Sequence, residues 1–270
     1  MSLRPDLISR ISTVLFSGCM MIVIGCNEGG SAGLTDDPPP PVEIQECADW
    51  AEIEAGEYML SNNVWGKGDI TDYEQCIRYI SENEVTRLGW SWIWPATENN
   101  SVKAYPEIIF GWKPWNAHST TNQLPAKIAD ISTLTSSFTL IDYTMSGIGN
   151  LAYDIWITAD SLPSGNNIRH ELMIWLKKEN QTPGGVFVAQ VTIDNVVYDY
   201  YRADWDWTYF AFVNNSGEEI TTVAIDKFLS YLKTQHDISG TEFVASIEFG
   251  SEIIAGSGRV LLEGYRIKVN

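Results

Sequence analysis

The chain has 270 residues, 44% of them hydrophobic, with 35 Asp and Glu against 17 Lys and Arg, for a formal net charge of −18. That apolar share supports a real core in one large β domain or two small ones. The negative field disfavours nucleic acid, anionic polysaccharide and anionic lipid headgroups as partners, while 11 Trp, 12 Tyr and 9 Phe suit a neutral ligand that stacks on aromatic rings.

Arg4 and Arg10 precede an apolar run, Ile11 to Ile24, that is too short for a membrane span and reads as a secretory signal over residues 1–25. It closes on Val23-Ile24-Gly25-Cys26, which resembles the lipobox of bacterial lipoproteins. The resemblance implies a cell-surface or outer-membrane lipoprotein that meets the membrane only through lipid on Cys26. An ordinary cleaved signal, giving a secreted protein, is the alternative. Residues 26–46 are rich in Gly, Ser, Asp and Pro and end in Pro38-Pro39-Pro40-Pro41. Such a segment has too little apolar surface to fold and reads as an extended tether. With Cys19 in the signal and Cys26 lipidated, Cys47 and Cys76 remain as the one pair for an oxidising compartment. A bridge between them would close a loop of about 30 residues and contribute about 3 to 4 kcal/mol. No Cys/His spacing marks a metal site.

Residues 47–270 show no repeat and no second linker, so they read as one all-β domain, a sandwich or jelly roll of short strands. Tyr58 to Leu60 and Ser91 to Trp94 (stopped by Pro95) are the first strands, and Phe138 to Tyr143 alternates only loosely. In Leu151 to Thr158, Tyr153, Ile155 and Ile157 share one face while Asp154 and Trp156 share the other. A hairpin through Asp160 to Asn167 sets this strand beside His170 to Leu176. There Leu172, Ile174 and Leu176 face a core, and Glu171, Met173 and Trp175 form a second face suited to a sugar. Asp154 then lies near Glu171, and two such carboxylates repel unless one keeps a proton, a costly arrangement for a purely structural sheet.

Val186 to Ile193 and Val196 to Arg202 form a hairpin through Asp194-Asn195, followed by a strand from Trp205 to Val213. The spacing of Ile225, Phe228, Leu229 and Leu232 predicts one amphipathic helix between Thr222 and Thr234, packed outside a sheet. The last strands are Phe243 to Glu252 and Val260 to Val269, separated by a mobile turn at Ala255 to Gly258. Glu248 and Glu252 share a side unless Gly250 introduces a bulge.

Several of these elements, in this order, are similar to glycoside hydrolase family 12: Cys47-Ala48-Asp49-Trp50, Ser61-Asn62-Asn63-Val64-Trp65-Gly66, Val102 to Pro106, Tyr153 to Trp156, His170 to Leu176, and Glu248-Phe249-Gly250-Ser251-Glu252. The resemblance runs from Cys47 to the C-terminus. It implies a β-jelly roll of two curved antiparallel sheets with a concave cleft and one packed helix. It also implies retaining, endo-acting hydrolysis of β-1,4-glucan, on cellulose-like or mixed-linkage chains or, alternatively, on xyloglucan. By position, Glu171 matches the family's nucleophile, Glu252 its acid/base, and Asp154 the carboxyl that hydrogen-bonds the nucleophile. Trp65 matches a stacking platform on the non-reducing side, with Asn63 beside it, and Met173 a residue lining the cleavage site. Trp175 and Trp156 are the further substrate-binding candidates. His170 and Ile253-Ile254-Ala255 depart from the family's commoner residues, the latter on the leaving-group side. Glu248 is the rival acid. Of Trp90, Trp92, Trp94, Trp112, Trp115, Trp205 and Trp207, one or two are expected to line the cleft, and the loop Lys113 to His118 is where tolerance of branches is decided. The implied two-carboxylate chemistry needs no cofactor and a monomer suffices; retention calls for carboxyl groups about 5 to 5.5 Å apart. A non-catalytic surface glycan-binding protein is the competing class, one that needs the aromatics but not both Glu.

Overall fold

The computed structural model describes residues 40–270. The expected signal, Cys26 and most of the expected tether lie outside them. The described chain holds fifteen strands and one α-helix. The first seven strands are β1 (Val42–Glu46), β2 (Glu52–Ala55), β3 (Tyr58–Ser61), β4 (Glu74–Glu82), β5 (Val85–Trp94), β6 (Glu107–Gly111) and β7 (Ala126–Lys127). Then come β8 (Leu134–Thr158), β9 (Ile168–Glu179), β10 (Val186–Ile193), β11 (Val196–Asp204), β12 (Thr208–Asn214) and β13 (Thr222–Ala224). Helix α1 (Ile225–Thr234), β14 (Phe243–Gly250) and β15 (Ile253–Val269) complete the domain.

The fold is a β-jelly roll, and β8 holds its two layers together. Its first part pairs with β15, from Leu134 opposite Val269 to Gly149 opposite Ile253; its second part lies between β14 and β9. One layer runs β1-β4-β5-β15-β8 and the other β2-β3-β6-β14-β8-β9-β12-β11-β10. Helix α1 buries Ile225, Phe228, Leu229 and Leu232, with Phe228 edge-on to Tyr198 of β11 and Phe212 of β12. Leu172, Ile174 and Leu176 enter the main core, as the alternation predicts. Met173 and Trp175 join Ala152, Tyr209, Ala211 and Val213 in a smaller apolar cluster on the opposite, concave face. Cys47 and Cys76 form a disulfide.

Several expectations are corrected. Val42–Glu46, assigned to the tether, forms edge strand β1: its residues are all exposed, so backbone pairing with β4 and the Arg78 to Glu43 ion pair hold it rather than apolar burial. The strands expected at Phe138 and Leu151 are one continuous element. Ala255 to Gly258 is no mobile turn but lies inside β15, where Gly256 (φ +104°) passes Gly147 (φ +112°) of β8. A Cβ on Gly256 would sit 1.9 Å from the Ser146 carbonyl oxygen, so glycine here permits close strand crossing. Trp205 precedes β12 in a tight turn, its N–H bonding the Trp207 carbonyl at 2.9 Å.

Among the described strand pairs, β9 and β12 alone run parallel. Since β10, β11 and β12 alternate in direction, β10 runs with β9, and Val186 stands level with Leu172 through Arg202 and Phe210. That level is well short of the end of β9 at Glu179, so the connection from Asn180 to Gly185 must return across the concave side. Gly184 lies against the rings of Trp205 and Tyr209, which are part of that face.

Candidate active site

Strand register builds the site. On the concave face Asp154 of β8 stands opposite Met173 of β9 and Glu248 of β14, while Trp156 stands opposite Glu171, which is level with Tyr209 of β12. The pairing of β8 keeps one register from Gly250 opposite Ala152 to Ile253 opposite Gly149. Glu252 therefore faces Asn150 on the same side as Glu248, with no bulge at Gly250. The two are locked by reciprocal bonds: Glu252 N–H to Asn150 Oδ1 (2.9 Å) and Asn150 N–H to the Glu252 carbonyl (3.0 Å).

Asp154, Trp156, Glu171, Met173, Tyr209 and Glu252 open onto a cleft of about 900 Å³. All eight residues singled out as catalytic or substrate-binding, Glu171, Glu252, Asp154, Trp65, Asn63, Met173, Trp175 and Trp156, line it. Trp65 is 60% exposed, as a stacking platform must be, whereas Trp175 at 1% and Trp156 at 6% are walls rather than free platforms. Met173 is fixed by two donors to its sulfur, Trp175 Nε1–H at 3.4 Å and Tyr209 O–H at 3.3 Å. Asn63 donates to Glu107 at 2.8 Å and accepts from the Trp65 N–H at 3.0 Å, so it sets the base of the Trp65 loop.

Glu171 accepts a 2.6 Å bond from Trp207 Nε1–H. Burial dominates its titration and pushes it up to about 8, opposed by that indole bond and reinforced by the charges of Glu252 and Glu248. Glu252 Oε2 accepts from Asn150 Nδ2 at 2.5 Å and Gln181 Nε2 at 3.0 Å. Burial pushes Glu252 up to about 7 against those two donors. Asp154 is held well above the carboxylate range by burial, then by the charges of Glu171 and Glu248, with Lys113 opposing. Asp154 Oδ1 is buried without a partner, and register sets Asp154 opposite Met173, diagonal to Glu171, which stands opposite Trp156.

Glu248 does not reach the cleft. It is fully buried and held by Lys113 Nζ (2.7 Å) and Ser246 Oγ (3.0 Å), and the same ammonium binds both oxygens of buried Glu107 at 2.8 and 3.0 Å. Burial alone would lower Lys113, but the two carboxylates outweigh it and keep the ammonium charged. This buried ion cluster commits Glu248 to structure.

Sequence reasoning undervalued Trp207, Trp115 and Trp205, all of which line the cleft together with Trp50, whereas Trp90, Trp92 and Trp94 are buried in the core. Trp207 had a legible signal, since it shares parity with Tyr209, next to the expected binding face. Trp115 and Trp207 flank Trp156 edge-on, at 4.9 and 5.4 Å between ring centroids. Gln181 had no signal; only the return of the chain after β9 brings it to Glu252. Among the described residues no group of His, Cys, Asp and Glu is arranged to hold a metal ion.

Comparison with known proteins gives a consistent picture. The family described as Glycosyl hydrolase family 12 matches residues 56–270. The chain is 36% identical over 224 residues to Endoglucanase S of Pectobacterium parmentieri, covering 79% of this chain and 82% of that protein. It is 25% identical over 232 residues to the xyloglucan-specific endo-beta-1,4-glucanase A of Emericella nidulans, covering 83% and 90% respectively. The family 12 xyloglucanase of Bacillus licheniformis, solved with a ligand, superposes with a TM-score of 0.74 at 27% identity, covering 84% of this chain and all of that one.

Proposed function

The chain belongs to glycosyl hydrolase family 12, and from that premise we propose that Glu171 is the nucleophile and Glu252 the acid/base in its hydrolysis of glucan. The enzyme is an endo-β-1,4-glucanase acting with retention, the mechanism typical of the family. The observation that carries the residue roles is that Glu171 and Glu252 line one aromatic-walled cleft, each oriented by side-chain N–H donors, while the rival Glu248 is tied to Lys113.

Glu171 attacks the anomeric carbon as Glu252 gives its proton to the departing oxygen. A glycosyl-enzyme forms, and water deprotonated by Glu252 then releases it. The reaction needs one proton on the pair, carried by Glu252. In the free site the values of about 8 and about 7 favour leaving it on Glu171. One unit is on the order of 1 kcal/mol, a difference that a bound glycosidic oxygen beside Glu252 can reverse. Raised Asp154 stands by as a neutral neighbour that adds no further charge next to Glu171.

Cellulose-like or mixed-linkage glucan is the first substrate, and Endoglucanase S, an endoglucanase by name, supports it. Xyloglucan is the second, supported by the xyloglucan-specific relatives. The leader and Cys26, which lie outside the described residues, support export with a lipid anchor.

Sugar release from unbranched, mixed-linkage and xylose-branched β-glucan by the domain from residue 40 tests the reading, with Glu171→Gln and Glu252→Gln beside it. The wild type releases oligosaccharides, and each variant loses at least about 1,000-fold in rate. Retained activity in Glu171→Gln would remove it as nucleophile, and the order of the three rates separates the substrates.

A further inference from the structure

We propose that Gln181 is a positioning residue for the acid/base, confining the transferable proton of Glu252 to Oε1 and offering its own side-chain carbonyl to an O–H group in the cleft. The inference rests on the assignment of Glu252 above.

Both amide donors to Glu252 converge on one oxygen, Asn150 Nδ2 at 2.5 Å and Gln181 Nε2 at 3.0 Å on Oε2. A carboxyl oxygen that accepts two N–H bonds is a poor place for a proton, because the added hydrogen would face those donors. When Glu252 is protonated, its proton therefore sits on Oε1, the oxygen left free of both amides.

Gln181 is itself built into the wall. It is 5% exposed and lines the cleft. Its backbone is pinned on both sides: Lys178 Nζ donates to the Gln181 carbonyl at 3.1 Å, and the side chain of neighbouring Asn180 donates to the Gly147 carbonyl at 2.9 Å. Yet Gln181 Oε1 is buried without any partner. A buried amide oxygen left unpaired costs on the order of 1 to 3 kcal/mol, so it marks a contact that the free protein does not make. The missing partner must donate a hydrogen bond and reach a point one amide away from Oε2 of Glu252. Two O–H donors pass there in a retaining reaction, a hydroxyl of the leaving sugar before cleavage and the incoming water after it.

The proton balance is explicit. As the bond from C1 to the glycosidic oxygen breaks, its electron pair stays on that oxygen, which takes the proton from Glu252 Oε1 while C1 bonds to Glu171. Water then gives one proton back to Glu252 Oε1 as its oxygen bonds C1 and the ester to Glu171 opens. Gln181 gains or loses no proton; it holds the carboxyl plane and accepts the second hydrogen bond.

The test is the steady-state kinetics of Gln181→Leu on soluble β-1,4-glucan and on an aryl cellobioside with a dinitrophenyl leaving group, which departs without protonation. On glucan, kcat falls about tenfold or more with little change in KM, and the pH limb assigned to Glu252, near 7 in the wild type, moves upward because a donor to its charged form is gone. A smaller loss on the aryl substrate assigns the partner as the leaving sugar's hydroxyl; a burst followed by a slow second phase assigns it as water. A merely structural role leaves the pH limb in place, and an unmoved limb with kcat within twofold overturns the proposal. Gln181→Met repeats the measurement should the Leu variant fail to fold. Glu252→Ala runs alongside: if it keeps its rate on glucan, the acid/base assignment falls, whereas its loss together with an unaltered Gln181→Leu removes only the inference about Gln181.

Discussion

At the scale of single residues, the site is governed by the cost of burying carboxylates. Glu171 lies at about 8 and Glu252 at about 7, so the pair carries a single proton near neutral pH rather than near pH 4 to 5. We expect a bell-shaped profile of kcat/KM with limbs near 7 and 8; an optimum at pH 4 to 5 would contradict it. Replacing Trp207 by Phe removes the indole N–H that favours ionised Glu171, so the upper limb shifts to higher pH and kcat/KM drops about tenfold. The same burial has a cost in stability. Between the ordinary carboxyl value of 4.5 and about 8 the unfolded chain releases the Glu171 proton while the native chain holds it, so stability is lost as pH rises through that window. Glu171→Gln keeps an acceptor for Trp207 but removes the ionisation. Its melting temperature should exceed that of the wild type at pH 8 and converge with it at pH 4, and a gap that ignores pH would refute the account.

At the scale of elements, β8 and β15 decide where the site can exist. The long strand β8 serves both layers while β15 belongs to one, and they pass closely at Gly147 and Gly256. A methyl group on Gly256 would meet the Ser146 carbonyl at 1.9 Å, at a φ of +104° that other residues rarely adopt. Gly256→Ala should therefore destabilise by about 3 kcal/mol or more, read as a lower urea midpoint with unchanged slope. Gly147→Ala should be similar, and the double variant less than additive because the two glycines face each other. The parallel pairing of β9 with β12 has the second architectural consequence. It forces the chain after β9 back over the concave face, and that return supplies Gln181 to the cleft and sets Gly184 against Trp205 and Tyr209.

At the scale of the whole molecule, a net charge of −18 surrounds a cleft walled by indoles. A neutral glucan feels this field little, whereas a carboxymethylated glucan is repelled at low ionic strength. Raising salt from about 20 to about 300 mM should leave KM on unmodified glucan within twofold and lower KM on the carboxymethyl derivative several-fold. Equal responses of the two substrates would show that the field plays no part in binding.

Alternation and turn chemistry carried much of this protein into view from the amino-acid order alone. Tyr153 to Ile157 and Leu172 to Leu176 declared their core faces, which placed Asp154 and Glu171 on the other side, and the spacing of Ile225 to Leu232 declared the helix. Those signals are local, set by two- and three-to-four-residue periods that any strand or helix must obey. What tertiary structure alone decided is non-local. Glu248 and Glu252 have the same parity, and only the contact with Lys113 and Ser246 removes one from the cleft. The Gly-rich segment at Ala255 reads as a turn until β8 is laid against it. Gln181 and Trp207 come to the two carboxyls because β12 pairs in parallel with β9, a pairing that no period in the sequence encodes, since it depends on which distant backbone completes each strand's hydrogen bonds.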